Sequence, residues 1–217
     1  MSERPAGPAA VDVVVLAGGT GRRLGGARKP DVVARGARLL DHVLAGLAGL
    51  APSASTTGGA EGPPGRVVVV APEEVALPPG VLRALEDPPL GGPVAGLAAG
   101  LARLARAPGP SALTGVVTCD APESWRALPA LIAEVRQGGD ARDGACVREA
   151  DRVQYLLGVY RTAALTQCVA PGGAALRDVS VRRALGGLSV VHVDLGELRS
   201  AARDLDTWED VRAWDRH

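Results

Sequence analysis

The side chains best suited to chemistry gather near the start of this chain, in the segment VVVLAGGTGRRLGGARKP from Val13 to Pro30. Gly18, Gly19, Gly21, Gly25 and Gly26 let the backbone turn its N–H groups onto a ligand, while Arg22, Arg23, Arg28 and Lys29 set positive charge among them. Backbone donors interleaved with cations are what a polyphosphate needs from a protein. Lys29 is the sole lysine of a chain that otherwise uses arginine, which marks a place that takes a compact ammonium rather than a planar fork. Much further on, Asp120 closes the apolar run that begins at Thr114, and Asp206 stands in the stretch RDLDTWED. Taken alone, an aspartate at the end of a strand reads as a turn-former.

Two familiar phosphate loops are excluded by the residues after the glycines. A P-loop closes on Gly-Lys-Ser or Gly-Lys-Thr, whereas Lys29 is followed by Pro30. A dinucleotide fingerprint needs a third glycine where Gly19-Thr20-Gly21 is followed by Arg22-Arg23-Leu24, and no acidic residue closes a second strand about twenty residues on.

The elements that must carry these residues read as an alternation of apolar strands and amphipathic helices. Val13 to Leu16, Arg66 to Val70 and Thr114 to Asp120 are strands apolar on both sides, the mark of a parallel sheet covered on both faces. Ala145 to Val147, Leu156 to Tyr160 and Ser189 to Asp194 are further strands. Helical spacing runs from Leu39 to Leu50, through Val94, Leu97, Leu101 and Leu104, and through Leu128, Leu131, Ile132 and Val135, the last with Ser124 as its N-cap. A short helix is expected between Leu77 and Leu85, a turn at Gly36, a surface loop over 51–65, and a closing helix from near Trp208. Ala95, Gly96, Ala98, Ala99 and Gly100 let the second long helix approach a neighbour closely. The fold class these elements imply is α/β: a Rossmann-like three-layer α/β/α arrangement with a mostly parallel sheet, occupying 11–217 as one domain behind a flexible lead-in of residues 1–10.

The stretch from Leu16 to Lys29 resembles the signature of the nucleotidyltransferases, specifically the molybdenum cofactor guanylyltransferases, with Leu16, Ala17, Gly18, Gly19, Gly21, Arg23, Gly25 and Lys29 within it. That resemblance implies a nucleotide-diphospho-sugar transferase-like fold, a triphosphate along the glycine loop, and catalytic roles for Arg23, Lys29 and Asp120. It is extended by EDPPLGGPVAGL, where the family places an acidic residue and a Gly-Pro turn at the base, here Asp87 and Gly92. A carboxylate accepting from the N1 and N2 hydrogens of guanine is a sound reason for Asp87, with Glu86 as its substitute; acidic residues ahead of a helix are equally accounted for by the helix dipole. Asp120-Ala121-Pro122 is similar to the family's Mg²⁺-binding Asp-x-Pro, and RDLDTWED to its closing segment, making Asp206 a second metal ligand or else an N-cap with Glu209 at capping-box distance. Gln154 matches the strand opposite the phosphate loop, near the acceptor, although Tyr155 stands where relatives often carry proline. Arg177 and Arg182 offer charge to a phosphorylated acceptor, or are solvated surface arginines.

The implied reaction is transfer of GMP from GTP to a phosphorylated acceptor, molybdopterin in the first instance, with release of pyrophosphate and with Mg²⁺ as cofactor. An acceptor phosphate is already anionic, which agrees with His42, His192 and His217 lying outside the motif blocks. The alternatives are a cytidylyltransferase, a sugar-phosphate nucleotidylyltransferase, or a nucleotide-binding accessory module without turnover, with a Rossmann oxidoreductase more distant. A formal net charge of zero gives no broad basic face for nucleic acid, and no apolar run is long enough to cross a membrane. Cys119, Cys146 and Cys168 form no CxxC pair and read as reduced, small apolar residues. Together these features point to the cytoplasm.

Overall fold

The computed structural model describes residues 10–19, 22–50, 64–109 and 111–216. Nearly all of the N-terminal lead-in, Gly21, the 51–63 part of the expected loop and His217 lie outside the described residues. In chain order, β1 (Val11–Leu16) is followed by a small hairpin of β2 (Val33–Ala34) and β3 (Ala37–Arg38) and by α1 (Leu39–Gly49). Next come β4 (Pro64–Val70), β5 (Leu82–Ala84), α2 (Gly92–Ala105), β6 (Leu113–Thr118) and α3 (Leu128–Gln137). The chain continues through β7 (Gly144–Glu149), β8 (Arg152–Arg161), α4 (Thr162–Val169), α5 (Val181–Leu185) and β9 (Val190–Val193), and closes with α6 (Trp208–Asp215).

Seven strands form the central sheet in the order β5-β4-β1-β6-β8-β7-β9. β5, β4, β1 and β6 are mutually parallel, β8 runs antiparallel to both of its neighbours, and β9 is parallel to β7. The doubly apolar strands are explained by cover on both faces. Val11, Val13 and Val15 of β1 join a core with Leu40, Val43 and Leu47 of α1 and Leu131 and Val135 of α3. Val14 and Leu16 point the other way, into a core with Leu97 and Leu101 of α2, Leu165 of α4 and Leu185 of α5. A smaller cluster of Leu24, Val32, Leu39, Leu205, Val211 and Trp214 fastens α6 to the hairpin and to the glycine loop. His42 belongs to that junction: its Nε2 lies 2.9 Å from the Ala34 carbonyl and its ring stands edge-on to Trp214.

Asp12 interrupts the apolar run of β1 without leaving the interior. Its carboxylate accepts from the Arg66 guanidinium at 2.5 Å, the Arg66 amide at 2.8 Å and the Ser111 amide at 3.2 Å, at the sheet edge remote from the glycine loop. Burial works to raise its pKa, but Arg66 and the two amides outweigh it and hold the carboxyl below the usual carboxylate range.

Three expectations need correction. Leu77 to Leu85 forms no helix; Leu82–Ala84 is instead a short edge strand, pairing Val68 with Leu82 and Val70 with Ala84. Pro78 and Pro79 deny backbone donors to a helix there, and Gly80 turns the chain at φ +87°. Ser124 does not cap α3; it opens a 3-10 turn, Ser124–Ala127, and its hydroxyl is buried with no hydrogen-bond partner. The closing helix is capped by Thr207 with Asp210 in a capping box, not by Asp206 with Glu209.

Two further features place the site. Val116 pairs with Gly158, so the amino-terminal half of β8 flanks the carboxyl end of β6. Opposite β7, pairing jumps from Cys146–Gly158 to Val147–Gln154, which leaves Tyr155 to Leu157 as a bulge at that same edge. On the other face, α2 lies close enough for a Cβ on Gly100 to stand 2.8 Å from Val14 Cγ1. Gly100→Val should therefore lower the unfolding free energy by about 2 kcal/mol, read as a lower urea midpoint with an unchanged slope.

Candidate active site

The glycine loop leaves β1 at the carboxyl edge of the sheet, where ligands bind in open parallel sheets. Leu16 and Ala17 are buried, and their backbones are engaged by neighbouring strands: the Ala17 amide donates to Val70 at 3.0 Å and the Leu16 carbonyl accepts from Cys119 at 3.0 Å. Donors turned toward a ligand thus begin at Gly18. Gly19 at φ +124° and Gly25 at φ +67° occupy backbone regions that favour glycine, and neither has protein atoms within 4 Å of where a Cβ would be.

Lys29 opens a 3-10 turn, Lys29–Asp31, anchored by the buried Pro30 and by Asp31, which pairs with Arg28 at 2.8 Å and Arg38 at 3.4 Å. From there the Lys29 ammonium reaches both distant aspartates, Asp120 Oδ2 at 2.6 Å and Asp206 Oδ1 at 2.5 Å. Arg23 completes the group, 3.0 Å from Asp206 Oδ2. Burial alone would lower the Lys29 pKa; the charges of Asp120 and Asp206 outweigh it and hold the ammonium well above its ordinary value. The hydrogen bond from Lys29 in turn holds the Asp206 carboxyl below its ordinary value. Asp206 is available for this role because Thr207 does the capping. The Leu205 amide donates to the Asp120 carbonyl at 2.7 Å, tying the closing segment to the end of β6.

Beside this group opens a cavity of about 570 Å³, whose walls include Asp120, Ser124, Gln154, Tyr155, Arg182 and Asp204. It exists because β8 bulges at Tyr155 to Leu157 where β6 has ended. Gln154 lies on its wall, its amide nitrogen donating to Glu149 at 3.2 Å and to the Ala202 carbonyl at 3.3 Å. Arg182 also lines the cavity, but Arg177 does not. Its guanidinium lies across Gly91 and donates to the Pro89 carbonyl at 3.3 Å, which places it with the Asp87 loop rather than with Gln154. Asp87 is exposed on that loop, ahead of Gly92, where α2 begins. Glu86 stands beside it, one oxygen of its carboxylate accepting from the Leu90 amide at 3.0 Å.

Asp204 lies in the closing motif, but the motif gave it no role of its own. Burial, and then the charge of Asp120, push its carboxyl up to about 6, although Arg152 at 3.8 Å works against the rise. Its signal was present in the alternation Asp204-Leu205-Asp206: Leu205 is fully buried, so in extended chain both carboxylates turn to the other side.

A glycine loop, an ammonium and two carboxylates thus meet at the carboxyl edge of a covered, mostly parallel sheet, where such folds bind their ligands. Residues 13–190 match the MobA-like NTP transferase domain, and the chain belongs to that family. No curated protein matches it. Among solved structures it is similar to molybdopterin-guanine dinucleotide biosynthesis protein A from Archaeoglobus fulgidus, at 20% identity and a TM-score of 0.63 over 95% of this chain and 97% of that one. It is also similar to 2-C-methyl-D-erythritol 4-phosphate cytidylyltransferase from Thermus thermophilus, at 17% identity and a TM-score of 0.58 over 95% and 98%. A nucleotidyl transferase from Methanothermobacter matches at 14% identity and a TM-score of 0.60 over 96% and 97%. At these identities the likenesses establish the shared fold.

The charges of the site set the response to mutation and to pH. Lys29→Ala leaves Asp120 without its cation and Asp206 with Arg23 alone, and at this half-buried depth should cost about 2 kcal/mol at pH 7. Because the Asp206 carboxyl lies below its ordinary value, that difference should shrink as urea melts are taken below about pH 4. Asp204 has the opposite sign: its carboxyl is raised, so folding takes up a proton and stability falls as pH rises from about 4 through about 6. Asp204→Asn should match the wild type in thermal melts at pH 4 and exceed it by about 1–2 kcal/mol at pH 7.

Proposed function

We infer that the protein transfers GMP from GTP to a phosphorylated small molecule, with molybdopterin as the first candidate acceptor, and releases pyrophosphate. The observation that carries this reading is the Lys29 ammonium held between Asp120 and Asp206, at the junction of the glycine loop and the cavity. The residues present fit Mg²⁺. Two carboxylate oxygens already converge on one positive charge, and Asp120 Oδ1 is buried with no hydrogen-bond partner. Among the described residues no cluster of three or more His, Cys, Asp or Glu forms a complete protein cage. Mg²⁺ is commonly held by one or two carboxylates, with waters and phosphate oxygens in its other positions. Asp120 and Asp206 would hold it, and bound there it would neutralise charge on the reacting phosphate.

The chain's own groups account for the rest. Gly18 and Gly19 present backbone at the loop's open face, and Arg23 and Lys29 bring positive charge to the triphosphate. An acceptor phosphate in the adjoining cavity attacks the α-phosphorus; the bond to the β-phosphate oxygen breaks, and pyrophosphate departs with the electron pair. The nucleophile is anionic before it binds, so no general base is required, and catalysis consists of positioning and electrostatics. Asp87 favours guanine because one carboxylate can accept from both N1–H and N2–H, whereas cytosine offers it only the exocyclic donor. The archaeal fold neighbour's name, which joins molybdopterin with guanine, agrees with this choice.

The test is pyrophosphate release from GTP with Mg²⁺ and molybdopterin. Asp120→Ala should reduce it at least about 100-fold while the circular dichroism spectrum is unchanged. GTP should raise the melting temperature more than CTP does. A larger shift with CTP would favour cytidylyl transfer, and nucleotide binding without pyrophosphate release would point to an accessory module.

A further inference from the structure

The loop between β5 and α2 holds a residue whose conformation and exposure both run against its chemistry. Leu90 is 71% exposed and adopts φ +66°, so a large apolar side chain stands in water on a backbone that glycine would take more easily. The conformation is enforced from three sides. Glu86 accepts from the Leu90 amide at 3.0 Å, Arg177 holds the Pro89 carbonyl at 3.3 Å with its guanidinium across Gly91, and the Asp178 amide donates to the Gly91 carbonyl at 2.9 Å. Backbone strain held in place by several partners is found most often at loops that contact a ligand.

Its position identifies the ligand, given the reading that a nucleoside triphosphate lies along the glycine loop. Around Gly96 of α2, the Leu16 side chain at the end of β1 and the Glu86 carboxylate come within 3.5 and 3.8 Å of the same point. The root of the Leu90 loop therefore abuts the start of the glycine loop, with Asp87 exposed on the same turn. A nucleobase needs a flat apolar cover as well as a hydrogen-bonding edge, and aromatic side chains usually supply it. This chain has no Phe, and its Trp and Tyr residues all lie at position 125 or beyond, in α6, in β8 and in the turn before α3. Among the described residues the large exposed apolar ones are Val33, Leu85, Leu90, Leu198 and Trp208, of which only Leu85 and Leu90 flank Asp87.

We propose that Leu90 is the aliphatic cover of the nucleobase, lying against one ring face while Asp87 reads its edge. The loop's bracing by Glu86 and Arg177 keeps that cover in place before the nucleotide arrives. An aliphatic cover acts through the area it shields, so its removal affects a purine more than a pyrimidine.

The test compares Leu90→Gly, Leu90→Asn and Leu90→Met by calorimetric titration with GTP, CTP and inorganic tripolyphosphate. Glycine and asparagine both suit the left-handed backbone, so these variants should melt at or above the wild-type temperature and remain folded. GTP affinity should fall about 10-fold in both and CTP affinity less, while tripolyphosphate binding stays within about twofold and Leu90→Met retains GTP affinity. Unchanged GTP affinity in both variants overturns the proposal, as does an equal loss for GTP and tripolyphosphate, which would place the effect on the phosphates. If the wild-type chain bound tripolyphosphate but no nucleoside triphosphate more tightly, the nucleotide reading itself would fail, a result distinct from both.

Discussion

Two carboxylates brought together in a half-buried site repel each other unless a cation stands between them, and in this protein the cation is part of the chain. The Lys29 ammonium lies 2.6 Å from Asp120 and 2.5 Å from Asp206. It thereby joins the loop after the first strand, the end of β6 and the segment before the last helix, three pieces of chain with no local reason to meet. The apolar cluster around Leu205 and Trp214 and the Leu205–Asp120 backbone bond fix the closing segment within reach. At this depth neither full hydration nor full burial applies, so the contact adds moderate stability and strict geometry.

The rest of the fold divides its labour around that point. The parallel strands β5, β4, β1 and β6 bring the glycine loop, the Asp87 loop and Asp120 to one edge, because parallel strands all end on the same side. The antiparallel β8 does something a parallel strand would not: it begins where β6 finishes, and its bulge opens a chamber in the continuing sheet. The glycine loop and the chamber are thus made by opposite strand directions, with the charged cluster at their boundary.

Much of this was legible in the residues, and the exceptions have physical causes. Val67 to Val70 and Val13 to Leu16 announce themselves because strands covered on both faces leave no polar positions, and a lone lysine among arginines singles out Lys29. β5 stayed hidden because three residues carry no periodicity and its pairing is supplied wholly by β4. Asp206 read as a cap or a ligand with equal force, since either Asp206 with Glu209 or Thr207 with Asp210 satisfies capping-box spacing; only the chain's path selects the second. Asp204 owes its raised carboxyl to burial and then to Asp120, neither of which is a property of its sequence neighbours. Arg177 sits on the Gly91 turn through a contact spanning most of a hundred residues, which no local pattern encodes.

Asp12 gives the architecture an independence that the cluster around Lys29 would not suggest. By gathering amides from β4 and from the entry to β6 together with the Arg66 guanidinium, it rivets three adjacent strands at the end of the sheet away from the glycine loop. That end of the sheet is therefore secured by contacts that share no residue with the glycine loop or the charged cluster, so a change in either leaves this fastening in place.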